Sequence, residues 1–247
     1  MKTGQKIINW IKRQVKSSGA KGVVMGLSGG VDSSLAAVLV RKAVGRKRLL
    51  CLLLPCHNSE KDLYDSQLIV RNFKLRHKTI DIRPLYNYLC RILPPADKKA
   101  TGNLKSRLRM LVIYYFANKL NYLVAGTSNK SELMIGYFTK YGDGGADILP
   151  IGGLLKNEVR KLAKEMAIPA QIINKPPSAG LWADQTDESE MGISYQELDD
   201  ILHRLESHQS QRVSKQKVSQ VKGMIKASEH KRRLAVVFKS VMHRQMS

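Results

Sequence analysis

Apolar runs alternate with amphipathic stretches through the first half of the chain, and this alternation constrains the fold more than any other feature of the sequence. GVVMGL (22–27), RLLCLLLPC (48–56), HKTIDI (77–82) and YLVAG (122–126) read as strands. Helical patterns separate them. Ile7, Ile8, Ile11 and Val15 recur at helical spacing, SLAAVLVRKAVG (34–45) is a helix stopped by Gly45, and NLKSRLRMLVIYYFANKL (103–120) is a long helix. Between the second and third strands, Asn58 and Ser59 are placed to cap a helix carrying Leu63, Ile69, Val70 and Phe73. Four such units in series predict an α/β fold, a doubly wound, Rossmann-like parallel sheet with right-handed crossovers. Ligands in these sheets bind beyond the carboxyl ends of the strands.

The whole chain, 1–247, is expected to form one domain, since 247 residues lie within what one core supports. The α/β core would occupy about 20–175, an ordered loop or lid about 176–192 and a helical C-terminal appendage 193–247. In that appendage the helical patterns are Tyr195 to Leu205 and Val213 to Met224, followed by a basic stretch from His230 to Arg233. The longest apolar run, Leu49 to Pro55, is far shorter than the roughly 20 residues of a membrane-spanning helix. The N-terminus lacks a continuous apolar segment, so a cytoplasmic protein without membrane contact is expected. Cys51, Cys56 and Cys90 have no metal-ligand spacing and suit reduced thiols.

Charge is partitioned. The formal net charge is +22, with eleven basic residues against one acid in 1–48, eleven against two in 203–247, and seven acids with no base in 184–200. Such an excess fits either solvated basic faces or a nucleic-acid footprint.

SGGVDS (28–33) falls between the first strand and the first long helix. Gly29 and Gly30 let backbone amides face an anion, Ser28 and Ser33 add hydroxyls, and the following helix presents its positive end. A pyrophosphate suits that nest. No Gly-Lys-Ser/Thr ending makes it a loop for terminal phosphoryl transfer, and no third glycine makes it a dinucleotide fingerprint. Asp32 would repel phosphate unless a divalent cation bridged the two, which implies Mg²⁺.

GTSNKSE (126–132) follows the fourth strand in the same way. Thr127 and Ser128 are donors there, Asn129 can take unusual backbone geometry, and Glu132 supplies a second carboxylate for the cation. Downstream, YFTKYGDGGADILPIGG (137–153) sets Lys140, Asp143 and Asp147 among glycines.

These segments, with GNLKSRLRM (102–110), KPPSAGLWADQTDESEMGISYQELDDIL (175–202) and EHKR (229–232), resemble the ammonia-dependent NAD synthetases of the adenine-nucleotide alpha-hydrolase-like (N-type ATP pyrophosphatase) superfamily. The resemblance implies ATP-dependent amidation of deamido-NAD⁺ through an adenylate, releasing pyrophosphate and then AMP. It implies an ATP site of Gly26, Leu27, Ser28, Gly29, Gly30, Val31, Asp32 and Ser33 with Thr127, Lys156 and Ser178. Mg²⁺ would lie between Asp32 and Glu132. Deamido-NAD⁺ would meet Arg107, Lys140, Asp147, His230 and Lys231 at the interface of a homodimer. Catalysis would fall to Asp32 and Lys156, with Asp143 or Asp147 taking a proton from the incoming ammonium; Trp182 would belong to the lid. Where the family commonly has Asp-Leu after Ile-Gly, this chain has Gly153-Leu154, which predicts a lost helix cap. The chain has no room for a glutaminase domain beside the synthetase, so ammonia would arrive free or from a separate protein.

Two rivals remain at this level. A tRNA-modifying enzyme of the same superfamily would use the basic ends, but this chain lacks the catalytic cysteine pair of the thiolating branch. A non-catalytic nucleic-acid-binding module leaves Asp32 and Glu132 without a purpose.

Overall fold

The computed structural model describes residues 2–57, 60–182, 184–207 and 214–238. Four parallel strands, β1 (Gly22–Gly26), β2 (Leu49–Leu53), β3 (His77–Thr79) and β4 (Tyr122–Val124), lie in the order β3-β2-β1-β4. The helices are α1 (Thr3–Ser17), α2 (Val31–Val44), α3 (Glu60–Asn72), α4 (Arg83–Ile92), α5 (Lys98–Leu120) and α6 (Lys130–Ile135), then α7 (Lys156–Glu165), α8 (Ala170–Ile173), α9 (Asp187–Met191), α10 (Tyr195–Ser207), α11 (Lys215–Ala227) and α12 (Glu229–Arg232).

Side-chain alternation along the strands sorts the core into two layers. Val23, Met25, Leu49, Cys51 and Leu53 face the layer built with α1, α2, α3 and α7. Val24, Leu50, Leu52 and Leu54 face the opposite layer, against α4 and α5. Because both faces of the sheet are covered, β1 and β2 are continuous apolar runs. This is the doubly wound α/β architecture. A third cluster, Ile135, Met191, Ile193, Tyr195, Leu198, Ile201, Leu202 and Val221, joins α6 to the C-terminal helices, so the appendage is anchored beside the second turn.

Several boundaries differ from the sequence reading. β3 stops at Thr79, although Ile80 and Ile82 still donate to the carbonyls of Leu53 and Pro55, because an edge strand has a neighbour on one side only. α5 begins five residues earlier than expected, capped by the Asp97 side chain, which accepts from the Ala100 amide at 2.7 Å. α4, with Pro84 in its first turn, was not anticipated: none of its residues is buried, so it lacks a strong core signal. α9 interrupts the expected loop. The N-cap of α7 is Leu155, whose amide donates to Glu158 at 2.8 Å, so Gly153 is not a cap and no cap is lost there. Asn58 and Ser59, and the expected helix start at Val213, lie outside the described residues.

Candidate active site

A cavity of about 440 Å³ opens at the carboxyl ends of the strands. Its wall includes Gly26, Leu27, Ser28, Gly30, Val31, Asp32 and Ser33 from the first turn, and Thr127, Ser128 and Glu132 from the second. Asp143, Lys156, Lys175, Ser178, Trp182, Asp187 and Lys231 complete much of the remainder.

The first turn is fixed by glycine and serine. Gly29 has φ +81°, and a Cβ on it would meet the Asp62 carbonyl oxygen at 2.7 Å and the Ser66 amide nitrogen at 2.9 Å. It therefore supplies the close approach of the turn to α3 rather than cavity wall. The Ser33 hydroxyl donates to the Gly30 carbonyl at 3.1 Å and lies 3.0 Å from the Ser28 hydroxyl. α2 starts at Val31, three residues before the expected 34, and no side chain caps it at Gly30. Its first amides are left for an anion in the cavity.

The second turn is closed by its own side chains. Asn129 caps α6, accepting from the Glu132 amide at 3.0 Å, while Glu132 Oε2 accepts from the Asn129 amide at 3.3 Å. Its φ of −92° is ordinary, contrary to the expectation of unusual geometry. Asn129 Nδ2 then donates to Asp32 Oδ1 at 2.9 Å and to Glu132 Oε1 at 2.7 Å, tying the two turns together. Spacing of Asn129 and Glu132 by three was the available signal for this role.

Lys156, the first residue of α7, is 1% exposed and runs between the two carboxylates. Its Nζ lies 2.5 Å from Asp32 Oδ2, 3.4 Å from Glu132 Oε1 and 4.7 Å from the Tyr195 ring centre. Burial works against its charge, but Asp32 and Glu132 outweigh burial and hold the ammonium above its ordinary value. Burial pushes the Glu132 carboxyl up to about 8, with Asp32 and Asp187 adding to the effect and Lys156 opposing it. The Lys156 ammonium is the cation that the two carboxyl groups share.

Tyr195, Asp187 and Lys175 lie in the 175–202 segment, but no role was assigned to them from the sequence. Tyr195 is fully buried and its hydroxyl donates to Asp187 at 2.9 Å and Glu132 at 3.2 Å. Burial raises the Asp187 carboxyl. Lys175 Nζ reaches Asp62 and Asp65, both at 2.7 Å, behind the first turn. The lid is docked: Lys105 Nζ donates to the Leu181 carbonyl at 2.7 Å, and Leu181 and Trp182 pack on Gly102.

The remaining expected residues divide. Asp143 faces the cavity, its Oδ1 accepting from Ser106 at 2.7 Å and from the Thr139 amide at 2.9 Å. Asp147 does not line the cavity; its carboxylate accepts from the Val124 amide at 2.7 Å and the Tyr114 hydroxyl at 3.1 Å, which pins β4. Arg107, Lys140 and His230 lie outside the lining, with Arg107 donating to the Lys140 carbonyl at 3.3 Å and Lys140 to the His230 carbonyl at 2.5 Å. Lys231 enters the wall, its Nζ donating to Gly136 and Phe138 carbonyls at 2.8 and 3.0 Å. The thiol of Cys51 is buried in the sheet and pushed up to about 12, which leaves it protonated.

Fold and cavity define an α/β nucleotide-binding enzyme of the adenine-nucleotide alpha-hydrolase type. Family comparison narrows this class. The model of NAD synthase matches residues 3–235, and the chain belongs to that family. It is 46% identical to the NH(3)-dependent NAD(+) synthetase of Archaeoglobus fulgidus, covering 96% of both chains, and 45% identical to that of Syntrophomonas wolfei, covering 94% of this chain and 93% of the relative. Among solved structures, the NMN synthetase of Francisella tularensis superposes with a TM-score of 0.89 at 39% identity, covering 96% of this chain and 97% of the other. Membership in the synthetase family removes the tRNA-modifying and non-catalytic alternatives as accounts of the cavity.

Proposed function

We propose that the chain amidates deamido-NAD⁺ to NAD⁺ with ammonia, at the expense of ATP, through a deamido-NAD adenylate. The observation that carries this reading is the uncapped first turn of α2 meeting the paired carboxylates Asp32 and Glu132 across one cavity. The amides of the turn and the hydroxyls of Ser28 and Ser33 receive the β- and γ-phosphates, which aligns the α-phosphorus toward the cavity interior. A nicotinate carboxylate oxygen attacks that phosphorus, and the bond to the β-phosphate oxygen breaks. Ammonia then adds to the acyl carbon and AMP leaves with the former carboxylate oxygen. Asp143, held by Ser106 and Thr139, takes the proton from the incoming ammonium. Lys156, whose Nζ lies 2.5 Å from Asp32 and 3.4 Å from Glu132, holds the two carboxyl groups in register. Thr127 and Ser178 contact the nucleotide, and the lid around Trp182 excludes water from the acyl adenylate.

Magnesium fits the donor set. Asp32 and Glu132 offer hard carboxylate oxygens, and no group of three His, Cys, Asp or Glu side chains converges among the described residues, so phosphate and water would complete the shell. When bound, the ion supplies charge neutralisation for the departing pyrophosphate.

The dinucleotide reading needs more than one copy of the chain. Leu111 and Tyr115 on α5 and Tyr88 and Ile92 on α4 are exposed, and Arg107, Lys140, Asp147 and His230 lie outside the cavity wall. A homodimer burying that face and bringing those residues to the acceptor accounts for both. The full chain then acts as one synthetase domain, in a cytoplasmic setting that keeps its free cysteines reduced.

Likeness to an NMN synthetase gives a specific reason to compare a second acceptor, nicotinate mononucleotide, which presents the same carboxylate. Turnover with ammonium, ATP and Mg²⁺ decides the matter: deamido-NAD⁺ is expected to give NAD⁺, with glutamine nearly inert as nitrogen donor. A higher kcat/KM for nicotinate mononucleotide would reassign the acceptor, and no amide product from either would overturn the function.

A further inference from the structure

We infer that the edge of the sheet opposite the cavity is a binding surface for the phosphate backbone of nucleic acid. Because all four strands are parallel, every helix-to-strand junction reaches the sheet at its amino-terminal edge. The junctions are 16–21, 41–48, 71–78 and 117–122. They hold twelve Lys and Arg residues and no acid: Lys16, Lys21, Arg41, Lys42, Arg46, Lys47, Arg48, Arg71, Lys74, Arg76, Lys78 and Lys119. None of the twelve takes part in an ion pair among the described residues.

Complementing helix dipoles explains only some of them. Lys16, Arg41, Lys42, Arg71 and Lys119 occupy last turns, where a cation is favourable. Arg46, Lys47 and Arg48 form a separate 3₁₀ turn, and Arg76 and Lys78 flank His77 in and beside the exposed edge strand β3. Between these two groups lies a cleft of about 460 Å³, lined by Arg46, Arg71, Lys74, Arg76 and His77 over the buried Val70 and Leu75.

The chemistry favours a long polyanion. Arginine forks suit phosphate oxygens, and the charges are spread over the junctions before all four strands, from Lys16 after α1 to Lys78 on the edge strand. Exposed apolar side chains that could enter a bilayer are missing from the cleft, whose two apolar residues are buried. Aromatic stacking platforms are also absent from its lining, so contact would be through the backbone and indifferent to sequence. The surface is separate from the synthetase site, and the inference does not rest on the reaction proposed above.

Fluorescence anisotropy with a labelled 20-base-pair duplex tests it on the full chain. About six phosphate contacts predict roughly a 10³-fold loss of affinity between 50 and 200 mM salt. The variant carrying Arg46→Glu, Arg71→Glu, Lys74→Glu and Arg76→Glu is expected to bind at least 10-fold more weakly, with a shallower salt dependence, while keeping the parent's circular dichroism spectrum at the assay temperature. A control reverses Lys215, Lys217, Lys222 and Lys226 on α11 and should bind as the parent does. Failure to bind at 50 mM salt, equal loss in both variants, or full displacement by tripolyphosphate at the duplex's phosphate concentration would overturn the inference. So would anionic phosphatidylserine vesicles captured more tightly than the duplex.

Discussion

Two strand-to-helix turns face each other across the cavity, one left open and the other closed. After β1, α2 begins under Gly30 with no side-chain cap, whereas after β4, α6 begins under a full capping box made by Asn129 and Glu132. An open helix start has amides to give to an anion; a closed one has spent them. The same supersecondary unit thus leaves helix amides open in one place and makes a rigid carboxylate holder in the other. Lys156 and Asn129 join the two, so the anion seat and the carboxylates move as one body.

Breaking the join should have the largest effect. Lys156→Ala removes a buried cation from between two carboxylates and is expected to lower turnover on the order of 10³-fold. Stability should fall by about 3–5 kcal/mol, read by urea denaturation. Gly29→Ala attacks the open turn alone. Left-handed backbone and the contact with Asp62 together amount to about 3 kcal/mol, which the free turn sheds by shifting away from α3 and ATP must then restore, so the KM for ATP should rise up to about 100-fold while α6 is untouched.

The closed turn predicts a different balance. Asn129→Ala deletes a helix cap worth about 1 kcal/mol and the amide group that bridges Asp32 to Glu132. Its main signature should be a raised Mg²⁺ requirement in a metal titration, with a modest drop in melting temperature. An unchanged Mg²⁺ dependence would mean that the two carboxylates are set independently.

The smallest effect concerns Lys175, which braces α3 behind the open turn. Burial disfavours its charge, but hydrogen bonds from its ammonium to Asp62 and Asp65 outweigh this and raise its titration point. With the folded value above the unfolded one, the contribution is complete below about pH 10.4 and is lost as pH rises through the folded value. The stability difference between the parent and Lys175→Met should be about 1 kcal/mol, flat from pH 6 to 9, and should shrink in more alkaline solution.

The open turn was legible in the sequence because its signal is local: an apolar strand, two glycines, a carboxylate and a helix within a dozen residues. β1 and β2 were legible for the same reason, since sheet burial on both faces leaves uninterrupted apolar runs, whereas the exposed β3 shows only as the alternation of HKTIDI. Contacts made over long sequence separations were not. Lys175 meets Asp62 across 113 positions and Tyr195 meets Glu132 across 63, and no spacing rule links such pairs. Asp147 gains a role in the sequence reading through the family resemblance alone, and its contact with the Val124 amide, which fastens β4, has no local signal. α4 escaped notice because it covers α5 without burying any residue of its own.

Isotope transfer tests the central claim most directly. In the reaction proposed above, the open turn seats the β- and γ-phosphates, which leaves the α-phosphorus for the nicotinate carboxylate to attack. Deamido-NAD⁺ labelled with ¹⁸O in that carboxylate, turned over with ATP and ammonium, should deliver one labelled oxygen to AMP, detected by mass spectrometry. AMP without label, or ADP in its place, would contradict the account.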